Sequence, residues 1–229
     1  MLIYAHRGAS KEEPENTLAA FRRAMEVGAD GIEFDVHASA DGVPVVIHDR
    51  DLSRTTNGTG NVDEKTLAEL EKLDAGNGQH IPTLKEVLDL TAGKIRLYIE
   101  LKQPGIERQV LDVLGNYAEA IWLIGSFDLD ILRAVRKLAR EIELWVITVE
   151  ASDAAFHAAG EVAATALSIR ADMVSPEVMR RITDASLGIA VWTVNDVEQA
   201  RLLRDFGVDA LCTDVPADII AGLAKGSPR

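Results

Sequence analysis

Gly31-Ile32-Glu33-Phe34-Asp35-Val36 carries two patterns in one short stretch. Side chains alternate across a β-strand, so Glu33 and Asp35 share one face while Ile32 and Phe34 pack on the other. Outward from this strand, similar short runs recur at Leu2 to Ala5, Ile95 to Leu101, Ile121 to Ser126, Glu143 to Thr148, Asp172 to Ser175, Ile189 to Val194 and Asp209 to Thr213. Apolar residues three or four apart predict helices between them, most clearly over Thr17 to Val27, Asp130 to Arg140, Pro176 to Asp184 and Val197 to Phe206. Strands alternating with helices imply βα units and a parallel sheet. Eight such strands favour a closed (β/α)8 TIM barrel over an open doubly wound sheet.

One stretch breaks the rhythm. From His37 to about Ile81, Asp41-Gly42 reads as a hairpin turn between Val36 and Val45, and Thr-Asn-Gly-Thr-Gly reads as loop. This predicts a small hairpin and loop insertion after strand 2, rising above a single domain that spans residues 1–229. If the hairpin returns through Val45 and Val46, His48 arrives near the mouth that Asp35 faces. The tail from Lys225 to Arg229 reads as frayed.

Bulk properties limit the partners. With 47% apolar and 5% aromatic residues, the core is expected to consist of Ala, Val, Ile and Leu. The 24 Lys and Arg against 37 Asp and Glu give a net charge of -13, which disfavours nucleic acid and anionic membrane. A phosphate site would need its own local positive charge. The lone Cys212 predicts no internal disulfide and reads as a buried apolar residue. No signal segment or membrane-length apolar run is evident, so a cytoplasmic protein without a stable membrane anchor is expected.

Several residues carry chemistry. Buried ionised carboxylates must be paired or bind a cation, so Glu33 and Asp35 point either to salt bridges or to a hard divalent ion. Glu100-Leu101-Lys102 repeats the device, with Glu100 as a third oxygen ligand and Lys102 as a phosphate partner or an ion-pair partner of the acids. His6 ends the first strand, and with His48 beside Asp49 it can divide general base and general acid work. Arg7 offers a planar fork for phosphate oxygens, and Gly8 permits a tight turn. Trp192 reads as packing under a loop or as a wall of the pocket, and Phe127 as a second wall or as core. Glu15, Asn16 and Asp214 read as groups that orient His6 and its neighbours. His37, His80 and His157 read as solvated surface residues.

Nine motifs in order then carry a resemblance. Ala5-His6-Arg7-Gly8, Pro14-Glu15-Asn16-Thr17, Gly31 to Val36, Val46-Ile47-His48-Asp49, Ile81-Pro82-Thr83-Leu84, Glu100-Leu101-Lys102, Ser126-Phe127-Asp128, Val191 to Asn195 and Thr213-Asp214-Val215-Pro216 together resemble the glycerophosphodiester phosphodiesterases. The resemblance covers nearly the whole chain. It implies a (β/α)8 barrel, a metal held by Glu33, Asp35 and Glu100, acid and base roles for His6 and His48, and phosphate contacts from Arg7 and Lys102. All-oxygen ligands favour one divalent cation, Mg2+ or Ca2+ with Mn2+ as a further option.

The implied reaction is hydrolysis of a small-molecule glycerophosphodiester to glycerol 3-phosphate and an alcohol. We assign His6 as base and His48 as acid, with the reverse assignment open and with either water or the glycerol 2-hydroxyl as nucleophile. Two other readings remain open at this point. One keeps the barrel and metal but acts on another head group, as a lysophospholipase D or a cyclic-phosphate-forming enzyme. The other is a non-catalytic barrel that binds glycerol phosphates.

Overall fold

The structure is a computed structural model that describes residues 1–225; residues 226–229, the rest of the tail read as frayed, lie outside the described residues. In chain order the elements are β1 Leu2–His6, α1 Leu18–Glu26, β2 Gly31–Ala38, β3 Pro44–Val46, α2 Leu67–Leu70, α3 Leu84–Thr91, β4 Arg96–Leu101, α4 Glu107–Leu114 and β5 Ile121–Ser126. They continue as α5 Leu129–Leu138, β6 Leu144–Thr148, α6 Asp153–Glu161, β7 Ala166–Arg170, α7 Pro176–Asp184, β8 Gly188–Trp192, α8 Val197–Asp205, β9 Ala210–Thr213 and α9 Pro216–Ala224. Strands β1, β2 and β4 to β9 run parallel, and β1 pairs with both β2 and β9, which closes the ring. The closed eight-stranded barrel is the (β/α)8 fold expected from the alternation.

Two apolar layers follow from strand alternation. Ala5, Ile32, Phe34, Val36, Leu97, Ile99 and Leu101 face outward and are covered by helix residues such as Phe21, Leu84, Leu88 and Val110. Inside the barrel, Tyr4, Tyr98 and Trp145 form edge-to-face pairs with ring centroids 4.8 to 6.0 Å apart. These large rings need gaps beside them: a Cβ at Gly31 would lie 2.3 Å from the Tyr4 ring, and one at Gly125 would lie 2.6 Å from the Tyr98 ring. The aromatic plug fills the lower barrel and leaves the polar residues at the carboxyl ends of the strands.

The insertion has a core of its own. Strand β3 pairs antiparallel with β2 through Val36 to Val46 and Ala38 to Pro44, and the turn between them uses Gly42 at φ 80°. Val45, Ile47, Leu52, Val62, Leu70 and Ile81 then pack together above the barrel. Helix α3 begins at a capping box in which Thr83 and Glu86 satisfy each other's backbone amides, returning the chain to the barrel.

Two expectations are corrected. The sixth barrel strand is Ala166–Arg170, not Asp172 to Ser175. Leu167 and Ile169 face the helices while Ser168 faces the interior. Ala171–Met173 forms a 3-10 turn, and the Ser175 hydroxyl accepts from the Val178 amide to cap α7. His37 is buried on β2 rather than solvated, and its Nε2 donates to the carbonyl of His48 at 3.1 Å. His157 is exposed, and His80 pairs with Glu86 near the surface.

Candidate active site

Strand β1 delivers His6 to the barrel mouth and then turns sharply. Arg7 and Gly8 have φ of 57° and 84°, and a Cβ at Gly8 would meet the Cβ of Ala20 at 2.6 Å. The turn is fastened to β2, because the Arg7 amide donates to the Glu33 carbonyl at 2.8 Å and to Glu33 Oε2 at 3.1 Å. Register pairs His6 with Glu33 and Asp35 with Glu100. Glu33, Asp35 and Glu100 are all buried, and each offers a carboxylate oxygen within 4.8 Å of the others.

Opposing charges surround this cluster. Lys102 Nζ lies 2.7 Å from Glu100 and 3.4 Å from Asp35, while Arg7 Nε lies 3.4 Å from Asp35. Asn16 donates to Asp35 at 2.9 Å. Burial acts first to raise the pKa of Asp35, but Lys102, His48 and Arg7 together hold it below the ordinary carboxylate value. Glu33 is compensated less: burial and the nearby Asp35 push it up to about 8 against the pull of His6 and Arg7. Glu100 is raised to about 6 by burial and by Asp35, against the pull of Lys102.

The donor set fits a hard divalent cation. With all three ionised, Glu33, Asp35 and Glu100 would face only Arg7 and Lys102 and carry one negative charge in excess. The raised Glu33 offsets that excess with a proton, and a divalent cation would offset it in the proton's place.

Both imidazoles line the same pocket. His6 Nδ1 donates to Asp214 at 2.7 Å, which turns Nε2 towards Glu33, 3.9 Å away. Burial opposes protonation of His6, yet the Asp214 hydrogen bond and the Glu33 charge raise its pKa overall. His48 follows the return strand, where the Ile47 amide donates to the Asp35 carbonyl, and its Nδ1 donates to Asp49 at 2.5 Å. Burial lowers the His48 pKa; Asp35 raises it in part, and Lys102 lowers it further.

The pocket holds about 150 Å³ and is chemically lopsided. His6, Arg7, Glu33, His48, Glu100 and Lys102 line one side, and Phe127, Ile147 and Trp192 the other. Phe127 and Trp192 meet edge to face at 5.6 Å, with Phe127 50% exposed at the rim. Trp192 donates through Nε1 to the Ser168 carbonyl at 3.2 Å, which fixes its ring. An anionic group and a short carbon chain would find complementary walls here.

Residues 6–218 match the Glycerophosphoryl diester phosphodiesterase family. The chain belongs to this family. A glycerophosphodiester phosphodiesterase of Caldanaerobacter subterraneus subsp. tengcongensis is 39% identical, with 98% of each chain covered. Among solved structures, a phosphodiesterase of Oleispira antarctica in complex with the product sn-glycerol-3-phosphate superposes with a TM-score of 0.93 at 31% identity, covering 98% of this chain and 97% of that one. A glycerophosphodiester phosphodiesterase of Agrobacterium tumefaciens str. C58 gives 0.85 at 31% identity, covering 96% and 99%.

Around these groups, Asp214 accepts from His6, Asn16 donates to Asp35, and Glu15 accepts from Arg7 Nη1 at 2.9 Å. Sequence reasoning overlooked Ser10 and Asn195, which donate to Asp214 at 3.2 and 2.7 Å. It also overlooked Arg54, which bonds both Glu15 and Asp49. No spacing marks Arg54, because it lies in an irregular loop with neither strand nor helix periodicity.

Proposed function

We propose that this chain hydrolyses glycerophosphodiesters to sn-glycerol 3-phosphate and an alcohol, using a divalent cation and two histidines. One observation carries the reading: two imidazoles, two basic side chains and the carboxylates of Glu33 and Glu100, on which buried Asp35 converges, share one pocket with apolar residues on its other side. The product held by the Oleispira antarctica protein, a relative covering nearly the whole chain, supports the same class of substrate.

Glu33, Asp35 and Glu100 would hold the cation, with their all-oxygen character favouring Mg2+, Ca2+ or Mn2+. When bound, it supplies Lewis-acid neutralisation of charge on the phosphoryl oxygens. Arg7 and Lys102 contact the remaining phosphate oxygens, each kept charged by neighbouring acids. His6 acts as the base through Nε2, with the Asp214 carboxylate on Nδ1 fixing the ring and its tautomer. His48 acts as the acid towards the leaving alkoxide, with its Nδ1 proton donated to Asp49 so that Nε2 is left to carry the transferred proton. Trp192 and Phe127 contact the glycerol carbons, with the Lys102 ammonium 5.9 Å from the centre of the Phe127 ring.

The test is turnover of glycerophosphocholine, followed by release of glycerol 3-phosphate, with a lysophospholipid run in parallel. Activity abolished by EDTA and restored by Mg2+, Ca2+ or Mn2+ is the expected result. Full activity after chelation would end the metal assignment, and binding without turnover would favour a non-catalytic barrel.

A further inference from the structure

Arg54 belongs to the insertion, is 46% exposed on its side chain, and is not among the residues lining the pocket. Its Nη1 and Nη2 donate to the two oxygens of Glu15 at 3.0 and 2.8 Å, and its Nε donates to Oδ2 of Asp49. Beyond those carboxylates stand two groups of the pocket. Asp49 Oδ1 accepts from His48 Nδ1 at 2.5 Å, and Glu15 Oε1 accepts from Arg7 Nη1 at 2.9 Å. One guanidinium thus reaches His48 through one carboxylate and Arg7 through another.

This link spans a join in the fold. His48 comes from the insertion and Arg7 from the turn after β1, so they are carried by different segments. The ladder that ties the insertion to the barrel ends at the pair Val36 and Val46, followed by the Ile47 amide on the Asp35 carbonyl and by His37 Nε2 on the His48 carbonyl, which hold the His48 backbone but not its ring. Past that point, the described side-chain contacts that hold the His48 ring run through Asp49. A guanidinium has a planar fork that can serve two carboxylates in fixed directions, whereas an ammonium acts as a point charge.

We propose that Arg54 is a positioning residue that locks the imidazole of His48 and the guanidinium of Arg7 into one relative placement, so that both address the same phosphodiester. The proposal rests on the roles given to His48 and Arg7 in the proposed function. Ion pairs as exposed as these contribute little to stability, so the main consequence of losing Arg54 falls on turnover and substrate affinity.

The experiment compares Arg54→Met, Arg54→Lys, Asp49→Asn, Glu15→Gln, the Arg54→Met/Asp49→Asn double variant and His48→Ala, in the full chain with Mg2+ on glycerophosphocholine. Arg54→Met is expected to lower kcat and to raise KM, each by about 10-fold, with thermal unfolding close to that of the unmodified protein. Asp49→Asn reproduces mainly the kcat fall, and Glu15→Gln mainly the KM rise. Arg54→Lys recovers only part of either, because it restores the charge without the fork. The double variant has a kcat no lower than Asp49→Asn alone, since both act through one chain of contacts. Normal kcat and KM in Arg54→Met, beside a strongly impaired His48→Ala, would overturn the role of Arg54 and leave the proposed function standing. Losses that multiply in the double variant would also overturn it. An unmodified protein that fails to cleave the diester would overturn both.

Discussion

His6 Nδ1 donates to Asp214 at 2.7 Å, and Asp214 is itself held by Asn195 and Ser10, so the ring is fixed from behind by a braced carboxylate. That relationship reaches from the end of β1 to the residue after β9, across the seam where the barrel closes. It leaves Nε2 free on the pocket side.

Asp214→Asn keeps the shape but removes the charge that sets the tautomer of His6. It is expected to cut kcat by about 10- to 100-fold, read in steady-state turnover of glycerophosphocholine. The same carboxyl is held down at about 2 despite its burial, through His6 and Asn195. A depressed acid contributes stability that is present above its ordinary value of 3.8 and is lost as pH falls towards 2. Thermal midpoints between those pH values should therefore fall less steeply for Asp214→Asn than for the unmodified protein.

The carboxylate cluster predicts a pH dependence of opposite sign in chelated protein. Glu33 is pushed up to about 8 by burial and Asp35, so the folded chain holds a proton that the unfolded chain releases from about 4.5 upward. Stability in EDTA should fall as pH rises from 5 towards 8, on the order of the spacing between those two values. Adding Mg2+ or Ca2+ should remove that slope and raise the thermal midpoint. In Glu33→Gln, scanning calorimetry is expected to find both the slope and the metal response reduced.

Two glycines, one inside the barrel and one on an outer helix, give predictions of opposite sign. At Gly125 an added Cβ would sit 2.6 Å from the Tyr98 ring and 3.1 Å from Ile147, so Gly125→Ala is expected to cost about 1–3 kcal/mol in urea unfolding. Gly160 lies exposed in α6 with nothing within 4 Å of an added Cβ. Gly160→Ala should stabilise by about 0.5–1 kcal/mol, because it lowers the chain entropy lost on folding.

Much of this architecture was legible in alternation alone. Glu33 and Asp35 on one face with Phe34 on the other describe an inward acid pair backed by an outward core, and β2 has that arrangement. Asp41-Gly42 marked the hairpin that returns His48 to the mouth. The Ala166–Arg170 strand escaped because its apolar residues merge into an alanine-rich background, while Asp172 to Ser175 has strand-like composition but supplies a cap. His37 looked solvated because no motif surrounds it, yet strand order buries it against the carbonyl of His48. Arg54 and Ser10 act across loops, and contacts between irregular segments leave no period to read.

The most direct test of the central claim is a crystal structure with Mn2+ and sn-glycerol 3-phosphate, using anomalous scattering to locate the ion. One strong peak is expected among Glu33, Asp35 and Glu100, with the phosphate between His6 and His48 and the glycerol carbons against Trp192. An ion bound elsewhere, or a phosphate reached by neither imidazole, would contradict it.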